Sequence, residues 1–452
     1  MKFIAAALGL LLCGSLEAQA LPPLPPGQTL KVDEAEALAL ANNLGLRAEG
    51  IKTSVKKRET DLAWNKLVPT ASVSSSVLRL NTATTQVQGS TVAFDPWIVS
   101  GSLSTQWTLS LALFHGMDQT VIDYQNSLIS LETAKKKLVR DVRKAFNQLL
   151  ALQESIRLTQ KQIANAEDRY RQTLASYQSG LASNVAVLQA QVSWENLKPT
   201  LEGQKLGYKQ AMRGFAFQLG LDVNTPLTLV GSIEVPEKLP PLQPDSYLKK
   251  YLDQRFDVQA VQGSLRSLEN VVKLQEDQLW PLLSLGWTVS PALNQAFDPK
   301  TDWGDSKNWK DSQGAFTVTL RWQLDSLVPM LSTWTAAQAT KDTLAQTKIG
   351  LEQVRTSAVM EIFSLTDQIG KSAQSLDTLA LNVELAQKSS AQTEKAYRAG
   401  SQTLADVQGA DLQLQTAQYQ VLNEKLTLVN ALLDLEYALN APKEDFLKGD
   451  TQ

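Results

Sequence analysis

Enzyme chemistry draws on nucleophiles, general bases or metal ligands, and this 452-residue chain is poor in the side chains that supply them: it has one histidine, His115, and one cysteine, Cys13. Disulfide frameworks, zinc sites of the Cys/His type and Cys/His nucleophile pairs have nothing to be built from. A Ser-His-Asp arrangement would have to use His115, which follows the apolar run 109–114, and no nucleophile-elbow sequence places a serine beside it. His115 reads instead as a histidine at a strand end or in a turn. The sequence therefore predicts no enzyme, with no catalytic residue, metal site or cofactor. A net charge of −3 provides no basic field for nucleic acid, and no recognition motif compensates.

What must be explained, then, is the architecture. Residues 1–20 read as an export signal: Lys2 gives the positive start, 3–12 the short apolar run, and Ala18-Gln19-Ala20 a small-x-small cleavage site. The mature chain is expected to start at Leu21. The lesser alternative, a lipoprotein anchored at Cys13, is disfavoured because Leu12 is bulky for a lipobox. Beyond the signal no stretch approaches the run of about 20 apolar residues that a membrane helix needs. If the exported chain enters a membrane, it must do so as β-strands.

Compared with itself, the sequence is written twice. Leu44, Leu46 and Pro69 answer to Phe256, Val258 and Pro281, and Tyr177-Gln178-Ser179-Gly180 answers to Tyr397-Arg398-Ala399-Gly400. Between these anchors both halves carry the same ungapped heptad seam, from Leu131 to Tyr177 and from Leu351 to Tyr397, each with a basic interruption, Lys135 and Arg355. Such a repeat means a long helix packed along neighbours, and roughly 60 residues would reach about 90 Å. Beyond each Tyr-x-x-Gly the pattern resumes, so each half contains a helical hairpin with its tip at the glycine. Pro199 should bend or interrupt the first returning helix. The predicted organisation is a first repeat over 21–230, with strands near 70–80 and 101–114 and a hairpin over 117–220. A second repeat over 231–452 has strands near 282–290 and 315–324 and a hairpin over 330–440.

The strands alternate with period two. Leu103, Thr105, Trp107, Leu109, Leu111 and Leu113 share one face of the second. Leu283, Leu285, Trp287 and Val289 do so in the third, and Phe316, Val318, Leu320, Trp322 and Leu324 in the fourth. The first, 71–80, is crowded with serines on both faces and is placed by its position in the repeat. Strands of this length can cross a bilayer when tilted, and residues 81–100 and 291–313 suit exposed outer loops. Leu103, Trp107, Leu109, Leu111, Trp287, Val318, Leu320 and Trp322 are then expected to face lipid. Four strands alone would leave open edges in hydrocarbon. Since about eight strands enclose only side chains and about twelve begin to leave a channel, a trimer is the smallest assembly that closes and conducts.

With these features the chain resembles the TolC-type outer membrane factor family over nearly its whole mature length. The resemblance implies a mainly α fold with membrane β, in which three duplicated chains share an α-helical barrel and a 12-stranded β-barrel. It implies an outer-membrane exit duct with a periplasmic helical part, serving tripartite efflux or type I secretion. The implied partners are a periplasmic adaptor, an inner-membrane pump of RND, MFS or ABC type, and outer-membrane lipid. Tyr177, Gly180, Leu181, Gly400 and Ser401 match tips where adaptor hairpins engage. Asp406 matches an acidic position ringing the closed entrance, and Tyr397 survives from the family's entrance lock. A second family aspartate falls at Gly409, with Asp411 near it, while Gln402 and Ala186 replace the lock's arginine and its acidic counterpart. The resting entrance is therefore expected to be held by different contacts. A coiled-coil stalk or structural protein would explain the heptads and a membrane-fusion adaptor the hairpins, but neither explains the duplicated strands.

Overall fold

The computed structural model describes residues 29–81, 84–87, 90–93, 95–236, 239–311, 313–322, 328 and 331–447. The export signal at 1–20, Cys13 and the expected start at Leu21 lie outside them, as does Leu324. In chain order the elements are β1 (Thr29–Leu30), α1 (Val32–Asn42), α2 (Leu44–Asp61), β2 (Thr70–Arg79), β3 (Thr84–Val87), β4 (Ser90–Ala93), β5 (Trp97–Leu109), α3 (Ala112–Gln178) and α4 (Asn184–Gln218). There follow β6 (Thr228–Leu229), α5 (Pro244–Tyr251), α6 (Phe256–Asp277), β7 (Leu282–Val289), β8 (Ala292–Asn294), β9 (Trp309–Lys310), β10 (Ala315–Arg321), α7 (Ser332–Arg398), α8 (Leu404–Leu439) and α9 (Lys443–Leu447). The described residues form two compact units: a helical one within 29–50, 131–255 and 357–447, and a sheet-bearing one within 51–130 and 256–356.

The helical unit buries the heptad seam. One core joins Val142, Phe146 and Leu149 of α3 to Phe215 of α4, Leu219, and Leu38 of α1, and is closed by the parallel pairing of β1 with β6. The second core repeats it, with Ile362 and Ile369 of α7 against Leu435 and Leu439 of α8. Val142 and Ile362, Leu149 and Ile369, Phe215 and Leu435, and Leu219 and Leu439 share one spacing along the chain, so the duplication read from sequence is a duplication of packing. Burial of apolar surface at about 25 cal/mol per Å² is what holds these long hairpins together. Arg143 of α3 adds a polar tie, bonded to Glu36 of α1 at 2.5 Å and Glu436 of α8 at 3.2 Å. The hydrogen bond to Glu36 raises the Arg143 pKa further above its ordinary value.

Helices α3 and α7 are 67 residues each, about 100 Å of continuous helix. Pro199 does not interrupt α4, which runs unbroken from Asn184 to Gln218. A proline removes one backbone hydrogen bond of many, and its neighbourhood is held by Trp194, stacked on Tyr170 at 5.5 Å and capped by the Lys198 ammonium at 3.8 Å.

In the sheet-bearing unit the long strands are ordered β2, β5, β7, β10, all antiparallel. β5 outruns β7 and pairs β8 along its first residues. His115 corrects the sequence reading. It lies in the first turn of α3, because β5 stops at Leu109 and the apolar run 109–114 divides between strand end, turn and helix start. Its Nδ1 is 2.5 Å from Asp277 Oδ2, and its carbonyl accepts from Asn270 Nδ2 at 2.9 Å. Leu111, expected on the strand, sits in that turn.

Candidate functional site

The two hairpin tips are built alike. Gly180 takes φ 75° and Gly400 φ 78°, the left-handed conformation that lets a helix end in a tight reversal. Leu181 N–H donates to the Ser176 carbonyl at 2.8 Å and Ser401 N–H to the Ala396 carbonyl at 2.9 Å, the six-residue bond of this helix terminus. Leu181 is 84% exposed, and Tyr177, Gly180, Gly400 and Ser401 are exposed with it, so the tips present surface to solvent. The return helices start on capped residues: Ser183 accepts from Ala186 N–H, and Thr403 and Asp406 cap each other reciprocally. Asp406 Oδ2 accepts from Thr403 N–H at 2.8 Å and from its hydroxyl at 2.6 Å. These bonds hold the exposed Asp406 carboxyl below the ordinary aspartate value.

Polar contacts then tie the first hairpin to the second. Arg169 of α3 pairs with Asp411 of α8, whose other carboxylate oxygen accepts from Ser390 of α7 at 2.7 Å. Tyr397 OH and Thr173 Oγ1 lie 3.1 Å apart, and Gln408 Nε2 donates to Ser193 Oγ at 2.6 Å. Further from the tips Tyr419 OH bonds Thr159 at 2.8 Å and accepts from Gln204 at 3.3 Å. Burial pushes the Tyr419 pKa up, but bonds to Thr159, Ser155, Gln204 and Gln415 outweigh it and leave it lowered. Arg169, Ser193, Gln408 and Asp411 line a cavity of about 500 Å³ between α3, α4 and α8. Of the residues expected at an entrance, Tyr397 and Asp411 are thus in the ties between hairpins, while Asp406 and Gln402 are exposed on the tip.

The sheet has two chemically different faces. Register places Val73 opposite Leu103, Val77 opposite Val99, Trp107 opposite Leu285 and Leu109 opposite Leu283, then Trp287 opposite Phe316, Leu285 opposite Val318 and Leu283 opposite Leu320. These form one continuous apolar face on which Leu320 is 70% exposed. Trp322 follows β10, its indole donating to the Leu279 carbonyl at 2.9 Å. On the opposite face three serine pairs bond across β2 and β5: Ser72 with Ser104 at 2.7 Å, Ser74 with Ser102 at 2.7 Å and Ser76 with Ser100 at 2.8 Å. Gln106 Nε2 extends this ladder to Ser284 Oγ at 3.1 Å. The serines that blurred the pattern of the first strand are the rungs of this ladder. Serines at alternate positions of two paired strands are the signal that would have found it.

Among the described residues no group of three histidine, cysteine or carboxylate side chains could hold a metal, and no helix is long and apolar enough to cross a membrane. No curated protein matches the sequence. The fold is that of the CmeC outer membrane channel of Campylobacter jejuni, 15% identical, with 93% of this chain and 87% of that one covered and a TM-score of 0.75. It is likewise that of the open state of the Neisseria gonorrhoeae MtrE outer membrane channel, 18% identical over 93% and 90% with a TM-score of 0.69. The outer membrane protein VceC of Vibrio cholerae is 15% identical over 91% and 97%, with a TM-score of 0.69. A family model described as outer membrane efflux protein matches residues 37–220 and 247–441, both halves of the duplication and most of the chain. The protein belongs to the outer membrane efflux protein family.

Proposed function

We propose that the chain is the exit duct of a tripartite efflux or type I secretion system. It passively conducts substrate handed over by an inner-membrane pump of RND, MFS or ABC type through a periplasmic adaptor. Membership of the family makes it an outer-membrane protein. The observation that carries the proposal is the sheet, with its apolar face, its hydroxyl-lined face and its edge strands β2 and β10, each paired with one strand among the described residues. Such edges need pairing in hydrocarbon, which favours closure by further copies of the chain. Three copies would supply about twelve strands, enough to leave a channel. Leu103, Trp107, Leu109, Trp287, Val318, Leu320 and Trp322 would then meet lipid and the serine ladder water.

In the helical unit the exposed tips Tyr177, Gly180, Leu181, Gly400 and Ser401 would receive the adaptor. The ties Arg169–Asp411 and Tyr397–Thr173 would hold the entrance at rest, where this chain has Gln402 in place of the family's lock arginine. Asp406, repeated around an axis, would favour cations. Conductance of the purified protein across planar bilayers tests the reading. A water-soluble product that never carries current would overturn it.

A further inference from the structure

Residues 295–309 fall within the expected outer loop 291–313; most of them are exposed, and the segment is bonded back to the strands beside it. Trp97 stands on the apolar face of β5 with Val99 and Leu103. Leu293 of β8 pairs Val99, and Trp309 of β9 pairs Leu293, so all belong to that face. Leu293 is 0% exposed and Ala296 1%. Over them runs a chain of rings: Trp97 to Phe297 at 5.7 Å, Phe297 to Trp303 at 6.1 Å and Trp303 to Trp309 at 6.3 Å.

Both loop indoles spend their N–H inward, Trp303 on the Ala296 carbonyl at 2.7 Å and Trp309 on the Trp303 carbonyl at 3.0 Å. What remains outward is apolar ring, with Phe297 58% and Trp303 46% exposed. Asp95 fixes the segment by accepting from Phe297 N–H at 2.9 Å. Asp298, Asp302 and Asp305 accept from the backbone N–H groups of Lys300, Gly304 and Lys307, so part of the turn backbone is satisfied without water.

We propose that this segment is a membrane-interface anchor, with Phe297 and Trp303 seated at the headgroup level of the outer leaflet beside the barrel wall. The assignment rests on the duct reading above and goes beyond it. The 13 residues of β5 are about 43 Å long at about 3.3 Å each, or about 30 Å across the bilayer at a tilt near 45°, the thickness of its hydrocarbon core. The ring chain lies at one end of that span, and Trp322, on the same face, lies at the other. Apolar rings at both rims of an apolar band are what a bilayer interface selects. The exposed charges of the segment balance, Lys300, Lys307 and Lys310 against Asp302, Asp305 and Asp311, so the rings and not a basic field select the partner. The lipid–water interface of a bilayer is the partner that this surface fits.

The test uses the full chain in a Cys13→Ser background, with Phe297→Cys or Val318→Cys carrying a spin label in phosphatidylethanolamine–phosphatidylglycerol vesicles. Collisions with oxygen and with a water-soluble nickel chelate report depth. The expected result is loss of nickel relaxation at 318 and partial loss at 297. Full nickel relaxation at 297 with loss at 318 overturns the anchor and leaves the duct standing. Full nickel relaxation at 318 overturns both. A second measurement keeps every ring: in wild type but not Trp303→Phe, lipids brominated near the headgroup should quench an emission component that chain-end bromines spare. Equal quenching by both lipids, or quenching by neither, overturns the anchor.

Discussion

Arg169 and Asp411 face each other across two hairpins, a guanidinium on α3 and a carboxylate on α8, with their side chains 12% and 29% exposed. A pair so shielded is worth more intact than its parts, because removing one member leaves a charge short of solvent. Arg169→Ala or Asp411→Asn should lower thermal stability by about 1–3 kcal/mol, less than a fully buried pair would lose. The double variant should lose less than the sum. If the pair holds the entrance, the singles should also raise single-channel conductance in planar bilayers. Unchanged conductance with reduced stability would leave it a structural tie only.

Asp406 supplies a pH prediction. Its folded-state pKa is lowered by the Thr403 bonds, so the capping contribution is fully present above the ordinary aspartate value and disappears as pH falls through the depressed one. The charge lasts over the same range. Cation preference, read as reversal potential under a salt gradient, should survive acidification into the ordinary aspartate range, and Thr403→Val should shift its loss to higher pH. Asp406→Asn should reduce it wherever the wild-type carboxylate is charged, and leave no difference once acid has protonated it. A preference unaffected by Asp406→Asn would remove this residue from the conducting path.

The two faces of the sheet should respond oppositely to charge. Val318→Arg puts a cation on the apolar face and is expected to cost about 2–4 kcal/mol at mid-bilayer, enough to deplete the protein from outer-membrane fractions. Ser102→Lys on the ladder face should insert normally and lower cation conductance. Equal insertion of the two variants would contradict the assigned sidedness.

Gly180 and Gly220 have nearly the same φ, 75° and 72°, but different surroundings. A Cβ at Gly180 meets nothing within 4 Å, whereas one at Gly220 would stand 2.3 Å from the Asn42 carbonyl oxygen. Gly180→Ala should therefore cost only the conformational term, about 1 kcal/mol. Gly220→Ala should add overpacking and reach about 3 kcal/mol. Thermal melts of the two variants side by side check the difference.

What the sequence disclosed follows from periodicity. The heptads of α3 and α7 and the alternation of β5, β7 and β10 are local patterns, and the paired Tyr-x-x-Gly tips repeat verbatim enough to mark both turns. The partner of Asp411 was hidden because Arg169 lies far away along the chain, and nothing local about an arginine on a helix reveals which carboxylate it will meet. Likewise residues 291–313 read as a polar outer loop, and nothing local showed that Trp309 would pair with Leu293 and Trp303 stand beside it. His115 was misplaced because an alternating leucine run can end a strand and begin a helix without changing composition.

The outer rows of amide and carbonyl groups on β2 and β10 make a lone subunit its own worst neighbour: either edge can seize the wrong strand of another unfinished molecule. If the proposed closure by further copies holds, maturation is a race between meeting the right companions and clumping. Yield should then depend on how quickly and how crowded the newcomers arrive, not only on how well each one is made.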